Sequence, residues 1–254
     1  MNTQETYEGS LDLRGSGITE LPAGLRIKGN LDLRDCSGIT ELPANLRVGG
    51  NLYLTGTGLT KLPSDLKVGG SLYLSYGVIT TLPAGLVVGG SLFLTGAAVT
   101  ELPSDLKVGS SIYLNSSAIA SLPTKLVVNG NFDLSDTAIT KLPAGLIVGG
   151  SLNLDNTGIT ELPVDLNVGG SLYLSDSAIT ALPEGLTVGR SLWLDGCTDM
   201  TELPSGLKVG GDLYLHGTCI TQLPYGLQVE GDLYLEGTRI TKIPSGSKVR
   251  SHSF

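Results

Sequence analysis

The chain has 254 residues, of which 16% are charged, and a formal charge of −8 at pH 7. That balance excludes a nucleic-acid groove, which demands clustered Lys and Arg, and no stretch approaches the roughly 18 consecutive apolar residues of a membrane span. Three cysteines make no disulfide framework, and the start, Met-Asn-Thr-Gln-Glu-Thr-Tyr-Glu, has neither the basic nor the apolar region of a secretory signal, so the expected location is the cytoplasm or leaderless export.

A leader of residues 1–8 precedes twelve repeats of about twenty residues, 9–250, and a tail, 251–254, follows. A self-similar period this short marks a solenoid, here a single domain. One repeat reads Gly-Ser-Leu-Tyr-Leu-Ser-Asp-Ser-Ala-Ile-Thr-Ala-Leu-Pro-Glu-Gly-Leu-Thr-Val-Gly, from Gly170 to Gly189, and the second and tenth carry one extra residue. Six columns are apolar in every repeat except at Ser247, so these columns face inward. They are the two strand leucines (Leu172 and Leu174 in this repeat), the isoleucine, the Leu before proline, the Leu after it and the closing valine. All twelve prolines share one column, Pro22 to Pro244.

Leu-x-Leu alternates in and out as a half-buried strand does, and it can pair only with the same segment of neighbouring repeats, which gives one long parallel sheet. The glycine pairs before it, such as Gly49-Gly50 and Gly169-Gly170, are expected to supply a positive φ or a tight turn. Proline on the return path disfavours a helix or central strand, so the outer side is expected to be extended or 3-10.

These residues carry a resemblance. Leu-x-Leu-x-x-[Thr/Ser/Cys]-x-Ile-Thr-x-Leu-Pro-x-x-Leu resembles a leucine-rich repeat, the α/β horseshoe class, in the short bacterial form found in type III secreted effectors of the IpaH, SspH and YopM kind. It covers the twelve repeats; the effectors' helical leader and catalytic domain have no counterpart here. The asparagine usual after the strand is replaced by Ser16, Cys36, Thr57, Thr137, Thr157 or Thr238, with Gly77 and Ala97 as exceptions, so a hydroxyl ladder is expected in place of an amide one. The two extended repeats place Cys36 and Cys197 at that position, similar to cysteine-containing leucine-rich repeats, as small buried ladder residues. Cys197-Thr198-Asp199 matches the effector ligases' Cys-x-Asp in letters, but the family carries that motif in a separate helical domain.

Enzyme chemistry has little footing. His216 and His252 have no nucleophile set by spacing. Asp136, Asp155, Asn156, Asp176 and Asp195 stack near one another, either as solvated turns or as a calcium site, although hard cations want six or more convergent oxygens and no ion loop is present. The expectation is no catalysis, no metal and no cofactor.

Function should show at the outward position between the strand leucines. It reads Asp12, Asp32, Tyr53, Tyr73, Phe93, Tyr113, Asp133, Asn153, Tyr173, Trp193, Tyr214 and Tyr234. With strands about 4.8 Å apart, the rings form two stacked runs of four on a concave face. They are either cross-strand stabilisers copied by duplication or partner-binding anchors. The next outward column runs from Arg14 and Arg34 to Glu236, a gradient able to orient a partner or protect an edge. A protein-binding scaffold is the leading expectation, with neither nucleic acid nor membrane as partner. The alternative is a repetitive-surface binder of carbohydrate on the aromatic column, or of ice on the threonines that follow the isoleucine, Thr19, Thr40, Thr60 and onward. Minimal caps leave room for self-association through the ends.

Overall fold

The computed structural model describes residues 6–253; the first five residues of the leader and the last of the tail lie outside them. The chain winds as a parallel-strand β-solenoid of about twelve turns, with no helix among the described residues. It divides into two compact units, Met1–Pro123 and Thr124–Phe254. In the first unit, Leu11–Asp12, Leu31–Asp32, Leu52–Tyr53, Leu72–Tyr73, Leu92–Phe93 and Ile112–Tyr113 pair in parallel, each apolar residue on its equivalent. In the second, an equivalent ladder runs from Phe132–Asp133 to Leu213–Tyr214.

Each turn contains a second short strand that the sequence reading did not separate. Thr6–Tyr7, Arg26–Ile27, Arg47–Val48, Lys67–Val68, Val87–Val88 and Lys107–Val108 form a parallel ladder of their own in the first unit. Val127–Val128 through Lys208–Val209 do so in the second. The cause is local: Leu-x-Val, as in Leu46-Arg47-Val48, also alternates inward and outward. The ladders join at the end of the second unit, where Gln228–Tyr234 is one continuous strand paired with Lys248–Ser253.

The six apolar columns face inward. Leu31, Leu72, Leu134, Ile139 and Leu174 are fully buried, and the Leu-Pro column is nearly so, at Leu62, Leu102 and Leu182. The outer side is extended, closed by Pro-x-x-Leu turns in which the Leu66 N–H donates to the Pro63 carbonyl at 3.2 Å.

The glycine pairs work differently from expectation. Neither member is at positive φ in any repeat; glycine is needed because successive turns touch. A Cβ on Gly89 would overlap the Gly69 carbonyl oxygen, and one on Gly149 that of Asn129. The left-handed position common to every repeat lies elsewhere, at the seventh residue, from Gly15 at φ 59° through Asp35, Tyr76, Asn156 and Asp176 to Gly237 at 72°, and a second one follows the proline in many repeats, as at Asn45, Gly85 and Lys125. The N–H one residue after the seventh bonds back to the strand leucine, Ser16 to Leu13 at 3.0 Å and Thr57 to Leu54 at 3.2 Å, so the chain leaves the strand through a turn of type II character, which demands positive φ at its third residue.

Tyr76 is the outlier among these twelve, because a bulky aromatic side chain is rarely tolerated there. Its φ is 58° and its side chain is exposed. Replacing Tyr76 by Gly relieves a strain of about 1–2 kcal/mol and is expected to raise the thermal unfolding temperature. An unchanged or lowered value would show that ring contact over Gly96 outweighs the strain.

Candidate functional site

The alternation of Leu-x-Leu turns the central side chain outward, and the in-register ladder repeats it at each strand. In the first unit this stacks Tyr53 on Tyr73 at 4.5 Å between ring centroids, Tyr73 on Phe93 at 4.4 Å and Phe93 on Tyr113 at 4.8 Å, with interplanar angles of 18°, 5° and 7°. In the second, Tyr173, Trp193, Tyr214 and Tyr234 follow at 5.9, 3.6 and 4.5 Å, with angles of 19°, 9° and 2°. All eight rings are half-buried. Ring lies on ring, so the open face of each unit presents edges and hydroxyls rather than aromatic faces.

Polar neighbours hold these rings in place. Asn51 Nδ2 donates to the Tyr53 hydroxyl at 3.1 Å, and the Tyr214 hydroxyl donates to Asp212 Oδ2 at 3.3 Å. Burial, then the adjacent Asp212 charge, pushes the Tyr214 phenol up to about 12. At the start of the first stack the Arg34 guanidinium lies over the Tyr53 ring, 4.9 Å from its centroid.

The basic end of the gradient read from sequence is paired locally. Arg14 Nη2 meets Asp12 Oδ2 at 2.8 Å, and Arg34 Nη2 meets Asp32 Oδ2 at 2.6 Å, each supported by Nε bonds to the same carboxylate. Arg14 also reaches Asp32 at 3.4 Å. Burial pushes the Asp32 carboxyl up, but the Arg34 hydrogen bonds and charge outweigh it and leave it below its ordinary value.

The side-chain ladder between turns is not the expected one. Thr57, Thr137, Thr157, Thr218 and Thr238 donate to the leucine carbonyl of their own repeat, at 2.6–2.9 Å. Two cysteines of this column reach across: Cys36 Sγ bonds Leu13 O at 2.9 Å and Cys197 Sγ bonds Leu174 O at 3.0 Å. The inter-turn ladder belongs to the residue before the strand. Asn30 Oδ1 accepts the Asn51 N–H at 2.8 Å, Asn51 Oδ1 that of Ser71 at 2.7 Å, and Ser71 Oγ that of Ser91 at 3.0 Å. In the second unit, Asn131, Ser151, Ser171, Ser191 and Asp212 continue the pattern. The signal was available: that column is Ser, Asn or Asp in all twelve repeats.

The remaining candidates bond within the scaffold. Asp155 Oδ1 accepts the Ser175 N–H at 2.7 Å, Asp195 Oδ1 that of His216 at 2.9 Å, and Asp136 Oδ1 accepts from Asn156 Nδ2 at 2.7 Å. No group of three metal-ligating side chains forms among the described residues. Burial pushes the Cys197 thiol up, the reverse of what an activated nucleophile needs. His216 Nδ1 lies 2.9 Å from the Glu236 carbonyl.

Burial also pushes the Asp155 carboxyl up, with Asp133 and Asp176 adding to it and the Ser175 N–H opposing. Between the ordinary carboxylate value and this raised one, the folded chain holds a proton that the unfolded chain has released. Stability therefore falls as pH rises through that window. Asp155→Asn is expected to raise the thermal unfolding temperature at pH 7 and to flatten its pH dependence above pH 4; a variant as pH-sensitive as the parent refutes the assignment.

Two parallel ladders, a left-handed turn after one strand and a Leu-Pro turn before the other make this a parallel-strand β-solenoid. Its fold is similar to that of YopM from Yersinia enterocolitica WA-314, with a TM-score of 0.41 and 18% identity over 96% of this chain and 78% of that one. YopM from Yersinia pestis, described as a leucine-rich effector protein, gives 0.37 and 16% over 96% and 88%. No protein-family model matches the chain, and no curated protein matches its sequence.

Proposed function

We propose that the chain is a non-enzymatic scaffold that holds a protein partner against the open face of its Leu-x-Leu ladder. The contact residues are Tyr53, Tyr73, Phe93 and Tyr113 in the first unit, and Tyr173, Trp193, Tyr214 and Tyr234 in the second. The observation that supports this is the stacking itself. Rings fixed by their neighbours lose little side-chain freedom on contact, and Tyr and Trp are the preferred anchors of interfaces. The phenol edges of the six tyrosines offer hydrogen bonds along the stripe, and the reading calls for no cofactor.

Carbohydrate binding draws less support, because a sugar stacks on a ring face and here neighbouring rings cover the faces. The threonine row, exposed at Thr40, Thr60, Thr100, Thr160 and Thr180, is followed at once by charged Glu41, Lys61, Glu101 and Glu161, which suits ordered solvent or ice poorly. The test is capture by the immobilised chain and its Trp193→Ser/Tyr214→Ser variant from one extract. A partner held through the stripe is retained by the parent and lost by the variant; equal retention overturns the reading.

A further inference from the structure

The exclusion of polyanion partners rested on cations clustered along the sequence, and a solenoid clusters residues twenty apart instead. The outward position of the first unit's valine ladder carries Arg26, Arg47, Lys67, Val87 and Lys107 in direct register. Four cations thus occupy one row about 19 Å long, at about 4.8 Å per strand. None forms a salt bridge among the described residues, whereas Lys28 pairs with Glu8 and Lys61 with Glu41. Arg26 Nε is enclosed without a hydrogen-bond partner.

Like charges opposite each other on neighbouring strands destabilise a sheet. The fold does not require a run of them, since the same column in the second unit holds Val127, Ile147, Asn167 and Thr187 before Lys208 and Lys248, which Gln228 separates. We propose that this row is a peripheral docking surface for an anionic lipid bilayer. Three features favour a planar partner over a threaded polymer. The glycine column beside the row, Gly49, Gly69, Gly89 and Gly109, raises no wall. The exposed Val87 interrupts the cations with an apolar side chain. Single-stranded nucleic acid is held in grooves by aromatic platforms, and no ring stands in the row between Arg26 and Lys107. Three carboxylates share this side, of which Glu8 is paired with Lys28. Asp65 Oδ2 is engaged by the Asn45 N–H at 2.7 Å, and Asp105 lies over the preceding turn at Gly85.

The test is flotation of the full chain with vesicles of phosphatidylcholine alone or with about one third phosphatidylglycerol. The chain should bind the anionic vesicles and leave the neutral ones, and release as added salt shortens the screening length from about 10 Å to about 3 Å. Each basic residue near such a surface contributes roughly a fivefold factor, so Arg47→Gln/Lys67→Gln should lower the partition about thirtyfold, with unchanged near-ultraviolet dichroism showing the stacks intact. Lys208→Gln/Lys248→Gln in the second unit should change nothing. Equal binding to both vesicles, absence of binding, an unaffected Arg47/Lys67 variant, or displacement by duplex DNA at lower anion concentration than the vesicles overturns the proposal. Partner capture through Trp193 and Tyr214 is unaffected by any of these outcomes.

Discussion

Replacing Leu134 by Asp is expected to abolish cooperative folding of the second unit. Leu134 is fully buried, in a turn whose Leu134 N–H donates to Asn153 at 2.9 Å. Losing the leucine alone costs about 2–5 kcal/mol, as for other core leucines. The carboxylate adds the penalty of an unpaired charge without water or partner, so the sum takes up most of the roughly 5–15 kcal/mol that holds an ordinary domain together. A repeat in the middle of a stack also supports both neighbours. Thermal unfolding followed by far-ultraviolet dichroism reads the effect; a transition within a few degrees of the parent's contradicts the inward assignment.

The double change of Trp193 and Tyr214 to Ser should do the opposite, sparing the fold and removing the partner. Three stacked contacts disappear, Tyr173 to Trp193, Trp193 to Tyr214 and Tyr214 to Tyr234, each worth about 0.2–1 kcal/mol. The leucines beneath, Leu192, Leu194, Leu213 and Leu215, stay fully buried. Each lost anchor should weaken a captured protein by about 2 kcal/mol or more, roughly thirtyfold in affinity. Loss of folding would make the stripe a structural device, and unaltered affinity would move the contact to the proline side.

Much of this was legible because one period governs every column. The inward columns follow from alternation, and strand spacing accounts for the ring distances of the stripe except the 5.9 and 3.6 Å on either side of Trp193. Ring tilt does not follow, since spacing fixes how far apart Tyr214 and Tyr234 stand but not that they lie within 2° of parallel. The second ladder was less visible because its outward residue varies from Arg47 to Ile147. The left-handed seventh position was hidden by the variety of its occupants, Gly, Asp, Asn, Ser and once Tyr. A resemblance placed the polar ladder after the strand, where threonines in fact bond within their own turn; the residues before the strand, uniformly Ser, Asn or Asp, do the bridging.

That bridging has a bearing on how such a chain changes over time. Because within each unit the side-chain oxygen before a strand accepts the backbone N–H of the following turn, and Ser, Asn and Asp serve alike, no turn has to recognise a particular successor. Were Gly150–Gly169 lost in one step, Asn131 would face Ser171 as it now faces Ser151. Length is thereby uncoupled from identity. Unequal recombination can shorten or lengthen the array by whole turns while point changes alter the outward columns independently, so its reach and its binding surface can be selected separately.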